Sequence, residues 1–327
     1  MTPSQFEKHI LPRWQRLQHL IEVAETPSRR AEADVTVLPA AFREVSHDLS
    51  VAQHRMSPQR TVQRLNELVI RGYRVLERRT AGGAESFLNM ILVTFPQLVR
   101  AEWRLFWWCS AVVYVPFLAL LFLTPHYPEW AMALLGPDGM ADAEQMYGEG
   151  ADLIEELRGK FGSDFAMFCF YIWNNVSIDF RCFAGGLLGG VGALLVLLFN
   201  GIYLGAFAGY IWYAGDPTNF WLWVCGHGPL EMTGMVISGV AGFRLGLSIL
   251  KPGRMLRREA LVLAGRRALP LIIGAAVMTT LAAVIEGFWS PRQFSPLIKH
   301  SFGAVQWAII AAFFLFAGRR GAATHAA

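Results

Sequence analysis

The chain has 327 residues, 54% of them hydrophobic and 17% charged, with a mean hydropathy of +0.35 and a formal net charge of +4. That balance excludes an ordinary soluble domain and indicates an integral membrane protein. The positive charge gathers at the ends of apolar runs, which excludes nucleic acid as a partner and implies contact with membrane lipid.

Residues 1–82 are expected to form a cytoplasmic helical region. Glu7, Lys8, Arg13, Arg16 and Glu22 interrupt the first two dozen residues, so no signal peptide is read there. In "SPQRTVQRLNELVIRGYRVLERR", Ser57 stands at a cap position and Pro58 in the first turn. Leu65, Leu68, Val69 and Leu76 follow at helical spacing. Two upstream helices, over 10–24 and 40–54, are expected to pack against this one. Residues 83–105 read as an amphipathic elbow beside the membrane, kinked at Pro96 and anchored at the interface by Trp103, Trp107 and Trp108.

The first transmembrane helix is predicted over 106–124, and an extracytoplasmic loop over 125–165. That loop carries Asp138, Asp142, Glu144, Glu149, Asp152, Glu155, Glu156 and Asp164 against Arg158 and Lys160. A transmembrane core over 166–318 and a cytoplasmic tail over 319–327 complete the chain. Arg100 and Arg104, the stretch "KPGRMLRREALVLAGRR" at 251–267, and Arg319 with Arg320 place both termini in the cytoplasm of a multi-pass protein of the bacterial inner membrane.

Within the core, the apolar block 182–214 would measure roughly 50 Å as one helix, too long for a hydrocarbon layer of about 30 Å. The polar break Asn200-Gly201 is its expected turning point. The fold class is therefore an all-α polytopic transmembrane helical bundle of about six crossings, with four plus a re-entrant pair as the alternative. Small residues recur four apart at Gly185 and Gly189, Gly205 and Gly209, and Gly242 and Gly246. They read as helix-packing positions, with a glycine-lined conduit as the lesser reading. They lack the context of a nucleotide loop, and no cofactor is expected. Such faces suit a homodimer as well as a packed monomer.

Polar residues inside apolar spans are the candidate functional site. "YIWNNVSIDFRCF" contributes Asn174, Asn175, Asp179 and Arg181 near the outer start of the second span, and Asn200 is placed at the inner turn. The asparagines either bond across helices or line a polar pathway. In "CGHGPLEMTGM", Pro229 is suited to begin a helix, which puts Glu231 in its first turn as a cap and His227 just before it. A second reading uses topology. Glu231 and Glu286 fall at similar outer depths, where with His227 they hold a cation, relay a proton or neutralise Arg181 or Arg292. Arg244, about 20 Å further along the helix, instead reaches the inner surface.

Catalysis is not expected. The sequence has no HExxH and no GxSxG, and a zinc set would require Glu286 and a further ligand such as His300 beside the HGxxE pair. Cys109, Cys169, Cys182 and Cys225 form no CxxC, so neither a disulfide framework nor a thiolate metal site is read. No catalytic residue and no metal ligand is assigned.

The segments "FPQLVRAEWR", "NNVSIDFRCFAGGLLGG", "FNGIYLGAFAGY", "HGPLEMTGMVISGVAGFRLG" and "IEGFWSP" resemble, in that order, the stage II sporulation protein M family of bacterial membrane proteins. The likeness runs from about 87 to 317. It implies that Asn174, Asn175, Asn200, Gly201, His227, Glu231 and Glu286 are the family's characteristic polar positions. It further implies a non-catalytic membrane anchor for cell-envelope proteins. The long front part and large outer loop are more similar to the non-sporulation form, whose implied partners include MoxR-type ATPase system proteins. Two functions are carried forward: a membrane scaffold for an envelope complex, and a transporter or channel using His227, Glu231 and Glu286.

Overall fold

The computed structural model describes residues 3–26, 37–54, 58–79, 87–147, 156, 159–215 and 217–319, with no strand among them. The cap expected at Ser57, the start of the elbow at 83–86, the charges at Glu149, Asp152, Glu155 and Arg158, and Arg320 with the rest of the tail lie outside the described residues. The chain divides into two compact units, Met1–Leu88 and Asn89–Ala327.

The first unit contains α1 (Pro3–Glu25), α2 (Leu38–His54) and α3 (Gln59–Arg79). Each places one stripe in a shared core: Trp14, Leu17 and Ile21 from α1, Leu38, Ala41 and Val45 from α2, and Leu65, Leu68 and Val75 from α3. Arg71 donates to Glu25 at 2.7 Å, joining α3 to α1. Arg13 lies 3.3 Å from Asp48 of α2. Asp48 is buried, and burial pushes its carboxyl above the usual carboxylate range against the opposing pull of Arg13.

The second unit takes in α4 (Phe87–Ala101) from Asn89 onward and continues into α5 (Trp103–Leu123). A π-helical turn at Met90–Thr94 precedes Pro96, and the sharp break falls at Glu102 (φ −97°, ψ 20°) rather than at the proline. Pro96 sits at the start of its segment, where a missing N–H costs little. Phe95 is buried against Gly274 and stacks edge-on against Phe314. Arg100 donates to the Phe314 carbonyl at 2.8 Å, and Glu102 pairs with Arg244. The predicted reach of Arg244 thus ends on a named partner.

The segment expected as a loop contains α6 (Glu129–Tyr147), interrupted at Gly136 (φ 70°). Its Tyr147 meets Phe207 and Phe220 edge-on, and Tyr210 donates to its Glu144. Next, α7 runs through Asp164–Tyr171, the π-helical Ile172–Val176 and Ser177–Gly185. The remaining helices are α8 (Val191–Ala214), α9 (Thr218–Leu250), α10 (Arg257–Trp289) and α11 (Pro296–Phe316). Five described helices, α5 and α8 to α11, are long and apolar enough to cross a membrane. With α7 they make a bundle of six. Trp107, Leu118, Phe122, Leu188 and Leu297 point outward, an apolar exterior suited to lipid.

The reversal expected at Asn200-Gly201 is at 186–190 instead. Gly189 (φ 68°) and Gly190 (φ 89°) adopt the left-handed conformation that allows the chain to turn within a few residues. Asn200 remains in the middle of α8 because its side-chain amide donates to the Val196 carbonyl at 2.8 Å, satisfying itself within the helix. Consequently Gly185 and Gly189 are not one helical seam. Gly185 ends α7 against Gly192, and Gly189 belongs to the turn. The other glycine expectations correspond to close approaches. A Cβ on Gly205 would lie 2.8 Å from the Phe117 Cα, and one on Gly209 2.7 Å from the Leu120 carbonyl, so α8 lies directly on α5. Gly242 and Gly246 do the same for α9 against α7 and the glycine turn.

Candidate functional site

Pro229 does not begin a helix. It lies inside α9, which runs on to Leu250, and Glu231 is thirteen residues, about 20 Å, from the start of that helix. The capping role is thereby overturned, since the exposed N–H groups of the first turn belong to the residues after Pro217. Pro229 has no N–H for the Cys225 carbonyl. Gly303 of α11 packs onto that carbonyl, closing the gap with a neighbouring helix.

The helix continues through the proline and carries His227 and Glu231, one turn apart, into the interior. From α10, a π-helical segment at Ile285–Trp289 brings in Glu286. His227 Nε2 lies 3.9 Å from Glu231 Oε2 and 3.7 Å from Glu286 Oε1. One ligand atom from each of the three groups falls within 4.8 Å of the others. The expected meeting of the two glutamates with His227 is therefore present in the geometry.

The far side of the imidazole is also fixed. His227 Nδ1 faces the Ser290 hydroxyl at 3.4 Å, and Ser290 in turn reaches the Trp223 carbonyl at 3.3 Å. The Ser290 carbonyl accepts from Lys299 at 2.9 Å. Glu286 is 7% exposed, and its Oε2 has no hydrogen-bond partner among the described residues. These three groups have the donor types of a cation site: one imidazole nitrogen and two carboxylates.

The polar residues of α7 divide between two tasks. Asn174 donates to Asn175 at 2.8 Å inside the π-helical segment, and both face the interior cavities. Asp179, 1% exposed, accepts from Ser238 of α9 at 2.9 Å and from Thr279 of α10 at 2.7 Å, tying three helices together. Arg181 donates to Ser177 at 2.7 Å on its own helix, and Arg292 lies 3.7 Å from Asp164. Neither arginine is the partner of Glu231 or Glu286 that depth alone suggested, because each is held by a nearer acceptor.

Two cavities meet at this level. The larger, about 810 Å³, extends from Asp142 and Lys160 past Trp223, His300 and Trp307 to His227, Glu231 and Glu286. The smaller, about 460 Å³, continues past Asp179 and Thr279 to Asn200 and Arg181. Asn174, Asn175, Tyr203, Leu204, Glu231 and Met232 line both. Asn200 thus faces a cavity from mid-helix and does not stand at a turn. His300 lines the larger cavity but is not part of the three-ligand cluster.

Ser290, Trp223, Tyr203 and Lys299 were not read as site residues from the sequence. Ser290 carried a faint signal, lying four residues after Glu286 in "IEGFWSP". The π-helical turns that project Asn174, Asn175 and Glu286 have no sequence signature, although such turns concentrate at functional sites.

Fold and site together define a polytopic α-helical membrane protein with a cluster of ionisable side chains inside its bundle. The family model described as Stage II sporulation protein M matches residues 106–291, more than half of the chain, and the protein belongs to that family. A second family model, described as a domain of unknown function, matches residues 4–78, which correspond to the three-helix unit. An uncharacterized protein of Methanocaldococcus jannaschii is 27% identical over 125 residues, covering 36% of this chain and 68% of that protein. No solved structure matches.

Proposed function

We propose that the bundle is a transporter or channel for a cation, with Glu231 at the centre of its pathway. The observation that carries this reading is the shared wall of the two cavities: Glu231 and the asparagine pair line both, one cavity reaching to Asp142 and the other to Asn200. A packed anchor has no need of such a surface, because each buried polar group costs stability unless partnered. Helices interrupted at a buried polar site are the usual way membrane proteins expose backbone and side chains to a transported ion. Here the interruptions are π-helical turns and Pro229.

The reading places both termini in the cytoplasm of an inner membrane, on the argument that Arg100, Arg104, Arg254, Arg257, Arg258 and Arg319 resist translocation. It assigns no catalytic residue. A second reading, the scaffold, is favoured by one observation: the first 88 residues are a separate unit with their own core, a form suited to binding a partner. Envelope proteins, including those of MoxR-type ATPase systems, are the partners that this reading proposes. The two are compatible if the helical unit regulates the bundle.

The pathway is tested by single cysteines at Phe207, Leu204 and Phe199, in a background lacking Cys109, Cys169, Cys182 and Cys225. All three are predicted to react with a small charged thiol reagent, Phe207 fastest from the outer side and Phe199 fastest from the inner side. Unreactive cysteine at Leu204 from both sides, with Phe207 and Phe199 labelled, would show a closed partition and contradict the pathway.

A further inference from the structure

We propose that His227, Glu231 and Glu286 bind a divalent first-row transition-metal ion, with Zn²⁺ the probe of choice. As a statement about cargo this rests on the transport reading, while as a statement about binding it stands on the geometry alone.

The first argument is spacing. An ion held at about 2.1 Å in tetrahedral geometry separates its ligand atoms by about 3.4 Å. The His227 to Glu286 and His227 to Glu231 separations are 3.7 Å and 3.9 Å, within a few tenths of an ångström of that, and all three ligand atoms lie within 4.8 Å of one another, so the two carboxylates need only close on a common ion. Glu231 keeps a quarter of its side chain exposed to the cavity and has the freedom to supply that movement.

The second argument is the direction of lone pairs. The Ser290 hydroxyl gives its single proton to the Trp223 carbonyl, so toward His227 it offers an acceptor. This orients an Nδ1–H at Ser290 and leaves the Nε2 lone pair facing both carboxylates. Metal-binding histidines have this outer hydrogen bond, which sets their tautomer. Three acceptor groups converge on one space, and a positive centre fits between them. No side-chain cation serves, because Lys299 is turned to the Ser290 carbonyl and both nearby arginines are engaged elsewhere.

The third argument, independent of the cluster's composition, is Glu286 Oε2. It belongs to a residue more than nine-tenths buried whose other oxygen, Oε1, is the one 3.7 Å from His227, and it has no hydrogen-bond partner among the described residues. An ion held by both carboxylate oxygens satisfies it. Donor chemistry then sets the class: one imidazole disfavours Mg²⁺ and Ca²⁺, while two carboxylates and no thiolate disfavour Cu⁺. Cys225 lines the same cavity but its thiol lies against the Leu222 and Lys299 carbonyls, at 3.5 Å and 3.3 Å. The larger cavity supplies the approach and room for water as the fourth ligand.

The test is Zn²⁺ binding to the full-length protein purified in detergent, by equilibrium dialysis and metal analysis, with Co²⁺ absorption as a second readout. The wild type is expected to hold one Zn²⁺ that is missing from Glu286→Gln and His227→Ala. Asp142→Asn and His300→Ala, which alter the same cavity away from the cluster, are expected to retain it. Ser290→Ala is expected to weaken it by about 10-fold or more. A Zn²⁺-dependent rise in melting temperature present in the wild type and absent from Glu286→Gln separates lost binding from lost folding. Equal binding by wild type and folded Glu286→Gln, or none by the wild type, overturns the proposal. Zn²⁺ binding without flux leaves the site standing and removes transport. Proton flux without Zn²⁺ binding does the reverse.

Discussion

Asp179 is buried beneath two hydroxyls, Ser238 and Thr279, that come from two other helices. A carboxylate so placed is stabilising only while its acceptors are used; its removal leaves the Thr279 hydroxyl without this partner, while Ser238 keeps the Gly234 carbonyl of its own helix at 3.0 Å. Asp179→Ala is predicted to cost about 1–3 kcal/mol. Asp179→Asn, which keeps one oxygen, is predicted to cost less, and thermal unfolding in detergent would rank the two. Equal melting of Asp179→Ala and wild type would remove its role as a tie. At this scale the sequence was informative about identity and uninformative about task. "NNVSIDFRCF" and "HGPLE" mark residues that are expensive in lipid, so their importance was legible. Whether each one caps, ties or lines a cavity depends on residues a hundred positions away, such as Thr279. The capping of Glu231 failed for a local reason. Pro229 has equal claim to start a helix or to sit within one, and the small residue Gly303 on α11 accommodates the second choice.

Among elements, the pairing of α5 with α8 depends on contact between backbones. Gly201, Gly205 and Gly209 of α8 lie against the backbone of Val113, Phe117 and Leu120 of α5, so the two helices run in the same direction in close contact. Close approach of this kind is what holds helices together where the hydrophobic effect is absent. Gly205→Leu is predicted to destabilise by about 1–3 kcal/mol through overpacking. By contrast, a Cβ at Gly265 of α10 meets nothing within 4 Å, and Gly265→Ala is predicted to be neutral or to stabilise by up to about 1 kcal/mol. Melting of the two variants in detergent compares them directly, and a Gly205→Leu protein as stable as the wild type would remove the seam. The four-residue glycine spacing made these seams legible in α8 and α9. It misled at 185–190, because consecutive glycines serve a left-handed turn as readily as a helix face. The π-helical turns were illegible, since a single added residue per turn leaves the apolar pattern nearly intact.

For the whole molecule, composition and blocks of hydropathy were enough to define an all-helical membrane bundle, and the match to the Stage II sporulation protein M family agrees with it. Function was not legible to the same depth. An anchor and a transporter share an apolar exterior and tight glycine seams, and they differ in whether polar surface continues through the interior. The shared wall on which the proposed continuity rests arises only when α7, α8, α9 and α10 are assembled, with Asn174, Asn175 and Glu231 common to both cavities. That continuity is the central claim, and flux tests it most directly. Purified protein would be reconstituted into liposomes containing a proton-sensitive dye or a Zn²⁺-sensitive dye, beside a folded and equally reconstituted Glu231→Gln protein. The account predicts flux of one of these cations in the wild type, reduced to the protein-free rate in the variant. Protein-free rates for both cations in the wild type, or flux unchanged in Glu231→Gln, would contradict it and leave the bundle as an anchor.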